Sequence, residues 1–167
     1  MALDDRFQRI LAEHGAGLGR VAALYARSRA EEEDLRQEIA FALWRALPGF
    51  RGGCSERSFA FRIAHNLGQK AAAMRRPQVP LHETDEAELP PAALADPERT
   101  ADARARHRRL VAALQRLAPE ARQVVALSLE GMTQAEIGEV VGATANAVAV
   151  RLHRAREELR RQLGETT

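Results

Sequence analysis

The side chains with the most definite chemistry in this 167-residue chain lie between Gly131 and Arg156, in GMTQAEIGEVVGATANAVAVRLHRAR. Asn146, His153 and Arg154 recur at spacings that place them on one face of a helix, with Ala145 and Ala149 beside them and Val150 at the edge. Amide, imidazole and guanidinium groups on one face can hydrogen-bond to base edges in a major groove, and Ala149 and Val150 can meet thymine methyls. Arg151, Arg154 and Arg156 open a basic stretch that can neutralise phosphates. Nothing comparable points to catalysis. A Gly-rich phosphate loop, an HExxH pair and a coherent nucleophile–base grouping are all lacking, so no catalytic residue is assigned and a non-enzyme is expected.

The elements that would hold this face are legible around it. Thr133 and Glu136 form a T-x-x-E capping box that starts one helix. Ile137, Val140 and Val141 supply its buried side, and Gly142 can end it in a left-handed turn. Thr144 caps the next helix, whose inward stripe is Val148, Leu152, Ala155, Leu159 and Leu163. Two caps, a turn of about three residues and this apolar register describe a helix-turn-helix. An ordinary helical hairpin shares the caps and the stop; the arginine cluster favours the DNA reader.

Upstream, helices are expected over residues 4–28, 30–47 and from about 57 to 76, with a possible break at Gly15, Gly17 and Gly19. In the second, Leu35, Ile39, Ala42, Leu43 and Ala46 form an apolar stripe, and the acidic run at 31–34 suits the helix dipole. PGFRGGCSE separates the second helix from the third. Residues 77–102 contain five prolines and read as an extended acidic linker. Helices resume over 102–117, with Leu110, Val111, Leu114 and Leu117 inward. The next begins at Pro119 and buries Val124, Val125, Leu127 and Leu129 before Gly131. The fold class is all-α: two small helical domains, residues 1–76 and 103–167, joined by the linker.

Charge follows the same division. Residues 1–76 carry 13 basic and 9 acidic side chains, residues 77–102 carry 1 and 7, and residues 103–167 carry 11 and 7, within an overall net charge of +2. Two basic ends suit a polyanionic partner, although solvated helix surfaces give the same pattern. Cys54 is the sole cysteine and the five histidines are scattered, so neither a disulfide nor a metal or cofactor is expected. No apolar run approaches the ~20 residues of a membrane span, and the N-terminus lacks a signal-peptide core. A cytoplasmic protein without membrane insertion is expected.

A second motif joins the first. Asp34, Leu35, Gln37, Glu38, Phe41 and Trp44 precede FRG at 50–52 and RIAHN at 62–66. With LAPEARQVVALSLEGMTQAEIGEVVGATANAVAVRLHRAR, these runs resemble the extracytoplasmic-function sigma factors of bacterial RNA polymerase, over residues 5–76 and 103–164. The resemblance implies a promoter-specificity subunit. Asp34, Leu35, Gln37, Glu38, Phe41 and Trp44 match the surface that grips the clamp helices of the largest polymerase subunit; for Trp44, core packing is an equal reading. Phe50, Arg51, Glu56, Arg57, Phe59, Arg62 and Asn66 match the part that melts the minus-ten element, Phe50 and Asn66 lining a pocket for a flipped base. Thr144, Asn146, Ala149, Val150, Arg151, His153, Arg154 and Arg156 match the part that binds the minus-thirty-five element. Core RNA polymerase, including its flap region, promoter DNA and an anti-sigma partner are the implied partners. Glu56 stands where a phenylalanine is common, Phe59 for a tryptophan, and Ala149 and Val150 for a basic residue and a serine. Two alternatives remain: a free-standing helix-turn-helix regulator, and a sigma-like polymerase binder defective in melting, which the acidic Glu56 would suit.

Overall fold

A computed structural model describes residues 2–74 and 97–164, with side chains placed for 3–74 and 102–164. Seven α-helices and no strand occur among the described residues. The first domain comprises α1 (Ala2–Tyr25), α2 (Arg29–Ala46) and α3 (Glu56–Met74), with a short 3-10 turn at Leu47–Gly49. The second comprises α4 (Pro97–Arg116), α5 (Pro119–Leu129), α6 (Gln134–Val141) and α7 (Ala145–Leu163). The expected linker and Arg75–Arg76 lie mainly outside the described residues, and α4 begins at Pro97, inside the stretch read as linker.

In the first domain α1 lies against both α2 and α3. Ile10, Val21 and Ala22 from α1 meet Leu35, Ile39 and Leu43 from α2 and Phe61 and Ala64 from α3, all buried. A fully buried leucine such as Leu43 contributes roughly 1.5–3 kcal/mol relative to an exposed one. The three glycines of α1 do not break it. Gly17 and Gly19 sit where other elements come close, to Phe61 and Arg36 respectively, and that packing offsets a propensity loss of about 1 kcal/mol per glycine. Ser28 caps α2 by accepting a hydrogen bond from the Glu31 amide at 3.2 Å.

The second domain packs α5 and α6 against α7, with α4 alongside. Arg122 ties the α4–α5 corner: its Nε donates to the Leu114 carbonyl at 3.2 Å, and one Nη donates to those of Gln115 and Leu117. Val124, Val125 and Leu127 are buried as their spacing predicts, but Leu129 is 64% exposed. It lies in the last turn of α5, two residues from the helix's buried side, and points away from the core.

The domains also pack on each other, α3 against α6 and α1 against α4. Gln69 Nε2 donates to Gln123 Oε1 at 3.0 Å across this junction. Close by, the Tyr25 ring covers Gly68, where a Cβ would fall 2.3 Å from the ring, and the Tyr25 hydroxyl lies 3.0 Å from His65 Nδ1. His65 is wholly buried. Burial pushes its imidazole down to about 4 and pushes the Tyr25 hydroxyl up to about 12. The unfolded chain takes up the histidine proton as pH falls through about 6.5; the folded chain resists until about 4. Stability is therefore whole above pH 6.5 and is lost as pH falls toward 4, by about 2 kcal/mol at pH 5. In urea titrations at pH 7 and pH 5, His65→Gln is expected to lose less stability on acidification than the parent chain. Equal losses in both would contradict the burial account of His65.

Candidate nucleic-acid interface

The α6–α7 unit is built by its caps. Thr133 N donates to Glu136 Oε2 at 2.8 Å and Glu136 N donates to Thr133 Oγ1 at 3.2 Å, completing the capping box. These bonds from Thr133, first the backbone and then the side chain, hold the Glu136 carboxyl below the ordinary carboxylate range despite slight burial. Gly142 ends α6 in the left-handed region at φ 69°, and Thr144 Oγ1 accepts from the Ala147 amide at 3.2 Å. Gly138 allows the tight turn: a Cβ there would lie 2.5 Å from the Ala143 carbonyl oxygen. Since that neighbour is backbone, Gly138→Ala is expected to cost about 2 kcal/mol, read as a lowered urea midpoint, and to displace the start of α7.

This scaffold leaves one side of α7 open. Asn146, His153 and Arg154 are exposed, Ala149 is half-buried and Val150 is 44% exposed. His153 Nε2 lies 3.5 Å from Glu157 Oε1, one turn on. Two of the arginines assigned to DNA turn elsewhere. Arg151 reaches toward Glu120 of α5 at 3.9 Å, and Arg156 donates to Ser128 Oγ of α5 at 3.4 Å. Thr144 is occupied as the cap. Among the described residues, no hydrogen bond or ion pair ties the side chains of Asn146, Ala149, Val150, His153 and Arg154 to α5, whereas Arg151 and the exposed Arg156 reach toward it.

On α2 the motif residues separate by face. Leu35 is 4% exposed and belongs to the core, a correction to its place on the gripping surface. Asp34, Gln37 and Glu38 are exposed, as are Phe41 at 60% and Trp44 at 43%. Their rings stack at 6.4 Å, Arg45 lies over Phe41 at 5.7 Å, and Trp44 Nε1 donates to Asp4 Oδ1 at 3.4 Å. Trp44 is thus a surface residue, and core packing does not account for it. Adjacent exposed aromatics flanked by carboxylates form a protein-docking surface in composition.

A second aromatic pair joins the segment after α2 to the first turn of α3. Phe50 and Phe59 lie 4.6 Å apart between ring centres, and the Arg6 guanidinium stands 5.0 Å over Phe50. Glu56 faces α1: Arg6 Nε donates to it at 2.7 Å and Arg9 Nη2 at 3.1 Å. Slight burial pushes the Glu56 carboxyl up, but the hydrogen bonds and charges of both arginines outweigh this and hold it below its ordinary range. Its charge is matched by two guanidinium groups of α1. Arg51 and Asn66 are exposed. Arg57 and Arg62 are turned to the second domain: Arg57 donates to the Glu130 carbonyl and Arg62 Nη2 to the Glu139 carbonyl at 2.6 Å.

Several of these groups carry no sequence signal. Arg6 and Arg9 meet Glu56 from about fifty positions away, and Arg20 meets Glu130 from 110. Spacing along one helix cannot find such pairs. Their only trace is three arginines on an amphipathic helix that also carries Asp4, Asp5, Glu13 and His14, which equally describes a solvated face. No group of three or more His, Cys, Asp or Glu side chains that could hold a metal occurs among the described residues, and none of their helices is long and apolar enough to cross a membrane.

Comparison with known proteins identifies the two domains. Residues 10–76 match the family described as Sigma-70 region 2, and residues 107–159 match Sigma-70, region 4. RNA polymerase sigma factor CarQ of Myxococcus xanthus is 32% identical over 162 residues, spanning 96% of this chain and 91% of that protein. RNA polymerase sigma factor CnrH of Cupriavidus metallidurans is 29% identical over 160 residues, spanning 92% and 84%. The solved structure of CnrH in complex with the cytosolic domain of CnrY covers 98% of this chain and 91% of its own, at 25% identity and a TM-score of 0.72. RpoE in complex with the anti-sigma factor NepR, from Bartonella quintana, shares the fold at a TM-score of 0.66 and 20% identity, covering 96% of this chain and 97% of that one. With both regions matched in order and a relative aligned along nearly its whole length, this chain belongs to the extracytoplasmic-function group of the sigma-70 family, the RNA polymerase sigma factors that direct promoter-specific transcription initiation.

Proposed function

We propose that this chain works in the cytoplasm by dividing promoter recognition between its domains, without chemistry of its own. Residues 1–76 bind core polymerase and the minus-ten element, residues 103–167 bind the minus-thirty-five element, and residues 77–102 connect them. The observation that carries this reading is the exposed face of α2, where Phe41 and Trp44 stack among Asp34, Gln37 and Glu38. Adjacent exposed aromatics rimmed by polar groups are typical of a protein-interaction surface, and the clamp helices of the largest subunit are assigned as the partner. An apolar groove of about 140 Å³ in the second domain, lined by Leu110, Leu114, Val125, Leu129, Leu152 and Leu159, supports contact with the flap region.

Base readout at minus-thirty-five rests on Asn146, His153 and Arg154, with methyl contacts from Ala149 and Val150. Melting rests on Phe50 and Phe59 as a stacking platform, with Arg51 and Asn66 beside it. Because Arg6 and Arg9 satisfy Glu56, its presence does not favour a melting-defective relative. The likeness to CnrH, solved with the cytosolic domain of CnrY, supports an anti-sigma partner for this chain as well. Footprinting of the holoenzyme on a promoter tests the division: Arg154→Ala is expected to weaken protection at minus-thirty-five while leaving polymerase binding intact. Upstream protection that does not depend on Arg154 would sink that assignment.

A further inference from the structure

Glu130 is seated in a notch built for it. Arg20 of α1 meets its carboxylate with two parallel bonds, Nε to Oε1 at 2.7 Å and Nη2 to Oε2 at 2.7 Å. The Glu130 side chain is only 10% exposed, whereas that of Arg20 is 65% exposed. Gly17, one turn before Arg20, makes the room: a Cβ there would fall 2.6 Å from Glu130 Oε2 and 2.8 Å from the tip of Phe61. Arg57 of α3 donates to the backbone carbonyl of the same Glu130, and Arg62, further along α3, donates to the Glu139 carbonyl. Three guanidinium groups of the first domain thus converge on oxygen acceptors of the second. The Nε atoms of Arg57 and Arg62 are buried without a hydrogen-bond partner, so the cradle holds donors that the α5–α6 segment leaves unused.

The fork of Arg20 fits a carboxylate and a phosphate equally well, because both present two oxygens at matching separation. Arg57 and Arg62 belong to the surface proposed to engage the minus-ten element, and a backbone phosphate of that strand presents the same charged pair of acceptor oxygens as the Glu130 carboxylate it would displace. We infer that Arg20, with Arg57 and Arg62, is a phosphate-binding site for the promoter strand, and that Glu130 occupies it as a phosphate stand-in while the two domains are packed together. DNA and the second domain then compete for this one site, and the free chain holds it covered. The inference rests on the minus-ten reading of α3 and adds a residue, Arg20, that lies on a different helix from the sequence motif.

Two substitutions break the same ion pair and separate the two roles of Arg20. Both Glu130→Gln and Arg20→Ala remove the pair, so both are expected to loosen domain packing, read as a larger radius of gyration in X-ray scattering from the full chain. Only Glu130→Gln frees the cradle with Arg20 still in it. It is expected to bind a dye-labelled single-stranded oligonucleotide spanning a mapped minus-ten element about tenfold more tightly at low salt. Arg20→Ala, alone or with Glu130→Gln, is expected to lack that gain and to shallow the salt dependence, the log–log slope falling by about 0.7 for one lost phosphate contact on a single strand. Equal gains from both variants would make Arg20 a latch and not a DNA contact, overturning the proposal, as would an affinity unchanged by Glu130→Gln. Phe59→Leu in the same assay reports on the minus-ten reading separately. If it leaves binding unchanged while Arg20→Ala weakens it, the phosphate site stands and that reading fails; binding by no variant overturns both.

Discussion

Replacing Phe41 and Trp44 together with alanine is expected to weaken binding to core RNA polymerase by about 100-fold or more. Buried aromatic anchors at the centre of an interface are each worth about 2 kcal/mol or more on truncation, and each 1.4 kcal/mol is a factor of ten. These two rings are 60% and 43% exposed in the free chain, so their removal leaves little unfilled space in the first domain, and the urea midpoint is expected to stay near that of the parent. The stacked geometry makes them act as a unit, so the double substitution should cost less than the sum of the single ones. Titration of labelled chain against core polymerase measures the loss. Parent-like affinity in the double variant would move the polymerase contact off this face of α2.

Phe50→Leu with Phe59→Leu is expected to reduce open-complex formation about tenfold or more while leaving polymerase binding near normal. Stacking of a base on an aromatic ring contributes about 1–3 kcal/mol, and leucine keeps much of the volume while removing the π-face. The pair is preorganised: its rings lie 4.6 Å apart, and Arg6, itself held by Glu56, covers Phe50. A trapped base therefore meets a surface already in place, and the few kcal/mol needed to unstack a step is offset there. Permanganate reactivity of minus-ten thymines in the holoenzyme–promoter complex reports melting directly. Undiminished reactivity in the double leucine variant would show that another surface holds the unpaired strand.

The parts of this molecule that local chemistry dictates were legible from the sequence. The capping box at Thr133 and Glu136, the left-handed stop at Gly142 and the cap at Thr144 form as their residue types require, because each involves neighbours within four positions. The inward stripes of α2 and α7 followed from helical spacing for the same reason. Spacing failed where tertiary contact decides. Gly15, Gly17 and Gly19 suggest a break, but the helix runs through all three, and at Gly17 and Gly19 it packs closely on Phe61 and Arg36. Leu129 counts as core by type but emerges at the lip of a groove. The motif groups Leu35 with Trp44, and the helix separates them: Leu35 lies inside, with the apolar stripe to which its spacing also assigns it, and Trp44 lies outside. Glu56 read alone is an unfavourable charge beside DNA, and only the fold supplies Arg6 and Arg9. The convergence of Arg20, Arg57 and Arg62 on the α5–α6 segment depends on how two domains meet, which no period within either domain encodes.

Reconstitution with bacterial core RNA polymerase tests the central claim most directly. The purified chain is mixed with core enzyme, the complex is isolated, and transcripts made from a genomic template library of the source are sequenced from their starts. Discrete start sites sharing sequence upstream at minus-ten and minus-thirty-five, absent when core enzyme acts alone, are the predicted result. A chain that fails to associate with core enzyme, or one that associates and leaves the start sites unchanged, would contradict the account.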